Sequence, residues 1–247
     1  MALVEFALTP LEAIEPWGTP PDLRLHWFGL SDGCYHLELG DVRLLEYRQE
    51  PGWPRYVEYQ LARLHEDLLE MLPHVLQPIP AGVVALLPEG SLGAASRTIS
   101  AKYADTKNRG DDLDSAMEAI RVRALDSLYL QPGFGVWMWS FGTTVVVEWD
   151  NRDRIVEGRP AWTASVGRHE LDRSSFLSEL QSFDQRLMAA MDERIQAIGR
   201  EWHRPDVKLD IPNLRVDHAD RATWLSSALK GLAPTIDWLA VERGASW

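Results

Sequence analysis

The chain has 247 residues, of which 45% are hydrophobic and 25% are charged, and its formal net charge is −12. This length predicts one or two globular domains with a hydrophobic core. Acidic residues outnumber basic ones mainly over residues 1–50, nine against three, and 111–150, seven against two. Such an acidic surface repels phosphate backbones, so we expect no nucleic-acid binding. The acids either attract a basic protein partner or only solvate the surface.

The sequence predicts neither a membrane span nor a signal peptide. Its apolar runs, such as Gly82–Leu87, are far shorter than the roughly 20 residues that cross a bilayer. Glu5 lies where a signal peptide would carry basic residues. We therefore expect a cytoplasmic protein without membrane contacts. Cys34 is the single cysteine, which excludes an intramolecular disulfide.

The first part of the chain predicts a β-meander followed by a helix. Asp32-Gly33 is a signal for a type I′ turn between two strands, and Gly40-Asp41 offers a second tight turn before a strand over 42–47. We expect Tyr35 and its alternate neighbours to face the core. Apolar residues then recur at the spacing of a helix: Val57, Leu61, Leu64, Leu68, Leu72 and Val75.

The middle of the chain predicts a mobile polar loop over residues 91–110, because apolar periodicity is weak there. A helix is expected from Asp111, since the acids at its start oppose the helix dipole. A second hairpin and a third strand follow near 135–140, 143–149 and 161–167.

A long helix is expected next, with Asp172 or Ser174 as its N-cap. It has the most regular apolar stripe in the sequence: Phe176, Leu180, Phe183, Leu187, Met191, Ile195 and Ile198.

Residues 201–247 predict a carboxy-terminal helical brace, with a helix over 219–229 that Asp217 caps. This segment also contains side chains that could supply oxygen and nitrogen to a metal. Their spacing matches no metal motif, so we expect neither a metal nor a cofactor. These residues are Glu201, His203, Asp206, Asp210, Asp217, His218 and Asp220.

Together these elements predict an α+β fold. We expect a mainly antiparallel sheet of five to seven strands, built from two β-meander-plus-helix units, with the long helices packed on one face. Residues 1–247 should form a single domain with possible sub-units 1–77 and 111–200. The interval from Trp27 to Glu38 equals that from Trp137 to Glu148, but other identity between the units is low, so duplication remains an open alternative.

No motif in the sequence defines a reaction, and we assign no catalytic residue. A P-loop, a Gly-x-Ser-x-Gly elbow and a His-Glu-x-x-His helix are all missing from the sequence. Histidine near carboxylates acts as a general base, as a pH-responsive contact or as an ordinary strand residue with a local partner. The candidate binding residues are His36, Glu38 and Glu148 on the more polar sheet face, with Lys102 and Arg109 in the predicted loop.

The 11 tryptophans permit two interpretations, core packing or a ligand pocket. Trp137 and Trp139 alternate with Met138, so both should project to one face, where we favour the core. Trp17, Trp53 and Trp247 are expected nearer the surface, because they lie beside turns or the terminus.

The segment Trp27–Leu37, preceded by Pro16–Leu23, resembles a family of uncharacterised bacterial proteins of unknown function. Phe183–Met188 in the predicted long helix is similar to the same family. The resemblance covers most of the chain and implies a single intact domain in a bacterial cytoplasm. It implies no activity and no catalytic residues.

Two functions remain as hypotheses. The first is a non-enzymatic cytoplasmic protein-interaction module, immunity- or antitoxin-like, that uses an acidic surface to bind a basic protein. The alternative is a small-molecule binder or enzyme with a tryptophan-lined pocket and residues 91–110 as its lid. The sequence does not indicate an oligomeric state.

Overall fold

The computed structural model describes residues 3–49, 52–104, 110–231, 233 and 235–244. The strands are β1 (Val4–Leu8), β2 (Leu23–Leu25), β3 (Asp32–Leu39), β4 (Val42–Leu44), β5 (Val57–Gln60), β6 (Val136–Phe141), β7 (Thr144–Asp150), β8 (Ile155–Val156), β9 (Arg159–Pro160), β10 (Val166–Asp172) and β11 (Val207–Leu209). The α-helices are α1 (Trp27–Leu30), α2 (Leu61–Leu76), α3 (Ala81–Leu86), α4 (Leu92–Ala104), α5 (Asp111–Arg121), α6 (Arg173–Arg200), α7 (Ile211–Arg221), α8 (Trp224–Lys230) and α9 (Trp238–Gly244). Short 3-10 helices cover Leu11–Ala13 and Pro88–Gly90.

The expected mixture of helices and antiparallel sheets is confirmed, but the single sheet of five to seven strands is wrong. Across the described residues, the strands form separate sheets of four, three, two and two strands. The chain divides into two compact units. Unit 1 comprises Met1–Leu69 and Leu177–Lys230, and unit 2 comprises Glu70–Phe176 and Gly231–Trp247. Organisation as one domain stays a prediction.

The sheet of unit 1 is built around β3, which pairs antiparallel with β1, β4 and β5. Tyr35, Leu37 and Leu39 on one face are buried; on the other face Cys34 and Glu38 are half-buried, although His36 is also buried. This alternation confirms that one face of β3 packs into the core. The tight turn at Gly40 is also confirmed, because Gly40 adopts a φ of 63° between β3 and β4.

The first predicted hairpin is wrong, because its first strand is a helical turn. Trp27–Leu30 forms α1, and Nδ1 of His26 accepts a hydrogen bond from the Gly29 amide at 3.3 Å. Gly33 lies inside β3 rather than in a turn. A Cβ at this position would lie 2.4 Å from the carbonyl oxygen of Ala7 on β1. Glycine is therefore required here because β1 and β3 approach each other closely. An Asp-Gly pair in the sequence does not distinguish such a close approach from a turn.

The apolar stripe of α6 is confirmed, since all seven of its predicted residues are buried. Within unit 1, the helix packs against β1, where the Phe183 ring lies edge-on to Phe6 with centroids 5.8 Å apart. Arg194 of the same helix donates a hydrogen bond to the Leu30 carbonyl at 2.6 Å. The sequence pattern places this helix after the second meander, whereas these contacts are with β1 and α1 of unit 1.

The end of unit 1 contains two helices where one was predicted. Asp210, rather than Asp217, caps α7, because its Oδ1 accepts a hydrogen bond from the Asn213 amide at 3.0 Å. Asp217 lies inside α7 and accepts from Arg221 at 2.8 Å. Just before α7, β11 forms a two-stranded parallel sheet with β2.

Unit 2 contains the predicted second meander, with β7 between β6 and β10. Gly142, with a φ of 58°, occupies the two-residue turn between β6 and β7. The third strand lies at Val166–Asp172, later than the predicted 161–167. The predicted cap of α6 is confirmed, since Oδ1 of Asp172 accepts a hydrogen bond from the Ser175 amide at 2.9 Å.

The loop predicted over residues 91–110 is wrong for most of its length, because α4 occupies Leu92–Ala104. Ser91 caps this helix by accepting a hydrogen bond from the Ala94 amide at 3.1 Å. Ala95 and Ile99 are fully buried in a cluster that includes Trp139. The lid hypothesis therefore loses the polar loop on which it was based over Leu92–Ala104. Residues 105–109 lie outside the described part of the chain.

Candidate functional site

His36 and Glu38 lie two residues apart on β3, so they share the more polar face of the first sheet. Nε2 of His36 is 3.4 Å from Oε1 of Glu38, and Arg43 donates a hydrogen bond to the same oxygen at 3.0 Å. This bond from Arg43 lowers the pKa of the Glu38 carboxyl. The His36 ring stacks on Tyr56 with centroids 4.1 Å apart. These contacts account for the pairing of His36 and Glu38 without a ligand.

A more informative arrangement lies in unit 2, where three unlike side chains form one row across the second sheet. Trp137 of β6 is paired with Glu148 of β7, and Glu148 is paired with Arg168 of β10. Directly opposed residues of antiparallel strands project to the same face. An indole, a carboxylate and a guanidinium therefore share one face, and we call this set the polar row.

The carboxylate of the polar row is tied to the start of α4. Glu148 is only 3% exposed, and its Oε1 accepts a hydrogen bond from the Gly93 amide at 2.6 Å and from the Ser91 hydroxyl at 3.3 Å. Both of these hydrogen bonds go to Oε1, and the nearby Trp139 indole also lowers the pKa of the carboxyl. Burial raises the pKa of Glu148, against the opposing effect of the hydrogen bond from Gly93.

A pocket of about 200 Å³ lies beside the polar row. Its guanidinium groups already have carboxylate partners. Asp150 binds Arg97 and also Arg152, the latter through a contact of 2.7 Å. Arg168 donates a hydrogen bond to Glu170 at 2.6 Å. The charges around the pocket are therefore largely balanced, while acceptors and donors are both present.

Two glycines hold the indole of Trp137 in place beside the pocket. A Cβ at Gly93 would lie 2.9 Å from Cζ3 of this ring, and a Cβ at Gly135 would lie 2.9 Å from Cη2. Both distances are too short for a side chain, so glycine allows the ring to pack against the backbone on these sides. Trp137 is half-buried, whereas Trp139 is buried in the core, as expected.

The structure separates the binding residues that the sequence grouped together. Glu148 belongs to the pocket of unit 2, whereas His36 and Glu38 belong to the sheet of unit 1. Lys102 lies in the last turn of α4 and does not line this pocket. Arg109 lies outside the described residues.

Sequence reasoning missed Ser91, Arg97 and Arg168 as neighbours of Glu148. One signal was present, because a two-residue turn at Gly142 places Trp137 directly opposite Glu148. The contribution of Arg168 depends on the register of β10, which is joined to β7 by a long connection.

Among the residues that the structure describes, no group of three or more His, Cys, Asp or Glu side chains is arranged to hold a metal ion. The acidic residues near the carboxy terminus have other contacts. Asp210 caps α7, Asp217 binds Arg221, and Asp220 accepts a hydrogen bond from the Trp224 indole at 3.0 Å. Within the same described ranges, no helix has the length and apolar character needed to cross a membrane.

The fold and the site define an α+β protein with small antiparallel sheets and a polar, tryptophan-lined pocket on one of them. The chain belongs to the family of unknown function DUF5984, whose family model matches residues 3–244. This confirms the expected membership in an uncharacterised family. No curated protein and no solved structure shows significant similarity to the chain.

Proposed function

We propose that this protein binds a small polar molecule in the pocket beside the polar row of Trp137, Glu148 and Arg168. The observation that carries this proposal is the row itself, because it brings an aromatic surface, a buried acceptor and a charged donor to one pocket. Ligand sites commonly combine apolar or aromatic walls with a few fixed polar groups.

The state of Glu148 supports this proposal. A buried carboxylate costs free energy unless hydrogen bonds or charges compensate it. Here Gly93 and Ser91 donate to Oε1 of Glu148 and the Trp139 indole assists, yet burial still raises the pKa of the carboxyl. A ligand that donates a hydrogen bond to Oε2 would recover part of that cost, so binding would be favoured at this atom.

The test is a screen of small polar molecules against the full chain by thermal shift, followed by NMR of the tryptophan indole N–H groups. A ligand of the pocket should raise the melting temperature and move the Trp137 signal. Trp137→Phe should weaken binding, while Trp17→Phe, a change at an exposed indole of unit 1, should not. If every compound leaves both the melting temperature and the Trp137 signal unchanged, the proposal fails.

A second candidate is a cytoplasmic protein-interaction module, immunity- or antitoxin-like, that binds a basic protein partner. A cluster of partly exposed aromatic side chains in unit 1 favours it. Trp17 is 47% exposed and lies edge-on to His26 at a centroid distance of 4.4 Å and near Phe28 at 6.0 Å. The exposed Glu15 precedes this cluster in sequence. Aromatic residues beside charge are frequent at the centres of protein interfaces.

This second candidate predicts a partner that high salt releases, since screening weakens the attraction between acidic and basic surfaces. Trp17→Ser should abolish capture of that partner, while the pocket variant Trp137→Phe should retain it. Capture that is equally strong with Trp17→Ser would exclude this surface as the interface.

A further inference from the structure

The walls of the pocket beside the polar row carry both acidic and basic side chains. Each guanidinium group on them already binds a carboxylate, either Asp150 or Glu170. An anion would use only the donors and would approach Glu148 and Glu89, which also line the pocket. A cation would use only the acceptors and would meet the guanidinium groups. Either charge would therefore pair with one half of the wall and be repelled by the other.

A neutral ligand with many hydroxyl groups matches both halves of the wall. A hydroxyl has one donor and two acceptor positions, so the same ligand can donate to a carboxylate and accept from a guanidinium. Resting on the proposed binding function, we infer that this pocket accepts a neutral sugar ring of the six-membered type.

The volume of the pocket agrees with part of one such ring. The pocket measures about 200 Å³, and an apolar cavity of about 150 Å³ holds a benzene ring. A hexose has about twice as many non-hydrogen atoms as benzene, so the pocket would enclose part of one sugar ring and the rest would extend into solvent.

Each residue of the polar row has a separate role in binding the sugar ring. Oε2 of Glu148, to which neither Gly93 nor Ser91 donates, accepts hydrogen bonds from ring hydroxyls beside the Trp139 indole. Arg168 donates from the adjacent strand through the N–H groups that its bond to Glu170 does not use. Trp137 contacts the apolar C–H surface of the ring.

The experiment compares three probes with the same ring and different charges: glucose, glucosamine and glucuronate. Their binding to the full wild-type chain is measured by ligand-observed NMR at neutral pH, together with galactose and mannose as further neutral rings. We expect at least one neutral sugar to bind, and to bind about tenfold more tightly than both charged rings. The comparison uses the wild-type protein, so it does not depend on the folding of a variant.

A matched pair of variants connects binding to the polar row. Glu148→Gln replaces the Oε2 acceptor with a donor and should weaken binding of the neutral sugar by about tenfold or more. Glu118→Gln makes the same chemical change at an exposed residue of α5 and should leave binding unchanged. Equal affinity of the Glu148→Gln variant and the wild-type protein would overturn the inference.

The other outcomes separate the failure of this inference from the failure of the proposed function. Tighter binding of glucosamine or glucuronate would show selection of charge and overturn the inference, while the pocket would remain a binding site. If other compounds from the screen bind at Trp137 and no sugar binds, the sugar inference is overturned, while the pocket remains a binding site. Absence of all binding at Trp137 would overturn both.

Discussion

Nε2 of His65 lies 2.8 Å from Oδ1 of Asp184, which joins α2 to α6 across 119 residues of sequence within unit 1. The His65 side chain has no exposure to solvent, and Asp184 is also buried. A carboxylate only accepts, so Nε2 is the donor. Nδ1 of His65 has no hydrogen-bond partner among the described residues. The Asp184 carboxylate therefore satisfies Nε2 of this buried ring.

Asp184→Ala should lower the free energy of unfolding by about 1–3 kcal/mol, because it leaves the buried Nε2 donor of His65 without its acceptor. Urea unfolding followed by circular dichroism measures the change. Asp192→Ala removes an exposed carboxylate from the same helix and should change stability by less than about 0.5 kcal/mol. Equal urea midpoints for Asp184→Ala and the wild type would contradict this role.

Gly33→Ala should destabilise the protein by about 2–3 kcal/mol, because the new Cβ would overlap the rigid Ala7 carbonyl. Gly199→Ala is the matched control. There the nearest atom, at 3.4 Å, belongs to the flexible Arg215 side chain, and the residue is helical. Alanine is favoured over glycine in a helix by roughly 0.5–1 kcal/mol, so the control should be neutral or stabilising. Destabilisation of the same size in both variants would refute the steric explanation.

Asp172 should support α6 in a pH-dependent manner. Hydrogen bonds from Ser174 and Ser175 lower the pKa of this carboxyl in the folded protein. Because the folded pKa is the lower one, the contribution is present above the unfolded pKa and is lost as pH falls through the folded pKa. Asp172→Ala should therefore lower the melting temperature at neutral pH, with a difference that shrinks in strong acid. Asp172→Asn should retain most of the cap. A pH-independent difference between wild type and Asp172→Ala would disprove the linkage.

Glu148 should affect the pH dependence of stability in the direction opposite to Asp172. Burial raises the pKa of this carboxyl, so its ionised form destabilises the fold at neutral pH and the penalty disappears as pH falls through the folded pKa. Glu148→Gln should thus melt at or above the wild-type temperature at neutral pH, and its advantage should decrease on acidification. Arg121 lowers the pKa of Glu118, so Glu118→Gln should instead lose stability at neutral pH. Melting temperatures of both variants across a pH range test these two predictions. A Glu148→Gln variant that melts well below the wild type at neutral pH would contradict the prediction for Glu148.

The long amphipathic elements were predictable from sequence because burial follows a period. The α6 stripe and the β6–β7 hairpin are present where the patterns indicated. The helix α4 was missed because its buried face uses Ala95, whose small side chain gives a weak apolar signal. The prediction of the first hairpin was wrong for a different reason. Gly33 is required by the close approach of β1, and in the sequence it looks like a turn glycine.

The candidate site was predictable only in part. Glu148 was selected from the sequence, but its expected neighbours His36 and Glu38 belong to another sheet. Its actual neighbours come from the register of β10 and from the start of α4. Register between strands that are far apart in sequence depends on the packing of the whole unit, which local patterns do not contain.

The parallel pairing of β2 with β11 affects how the protein must be made. Leu23–Leu25 leaves the ribosome long before its partner Val207–Leu209 has been translated. At roughly 5–20 residues per second, the earlier strand waits on the order of ten seconds or more. During that interval its edge lacks the partner strand, so nascent chains truncated before residue 207 should depend on chaperones more than the complete chain does.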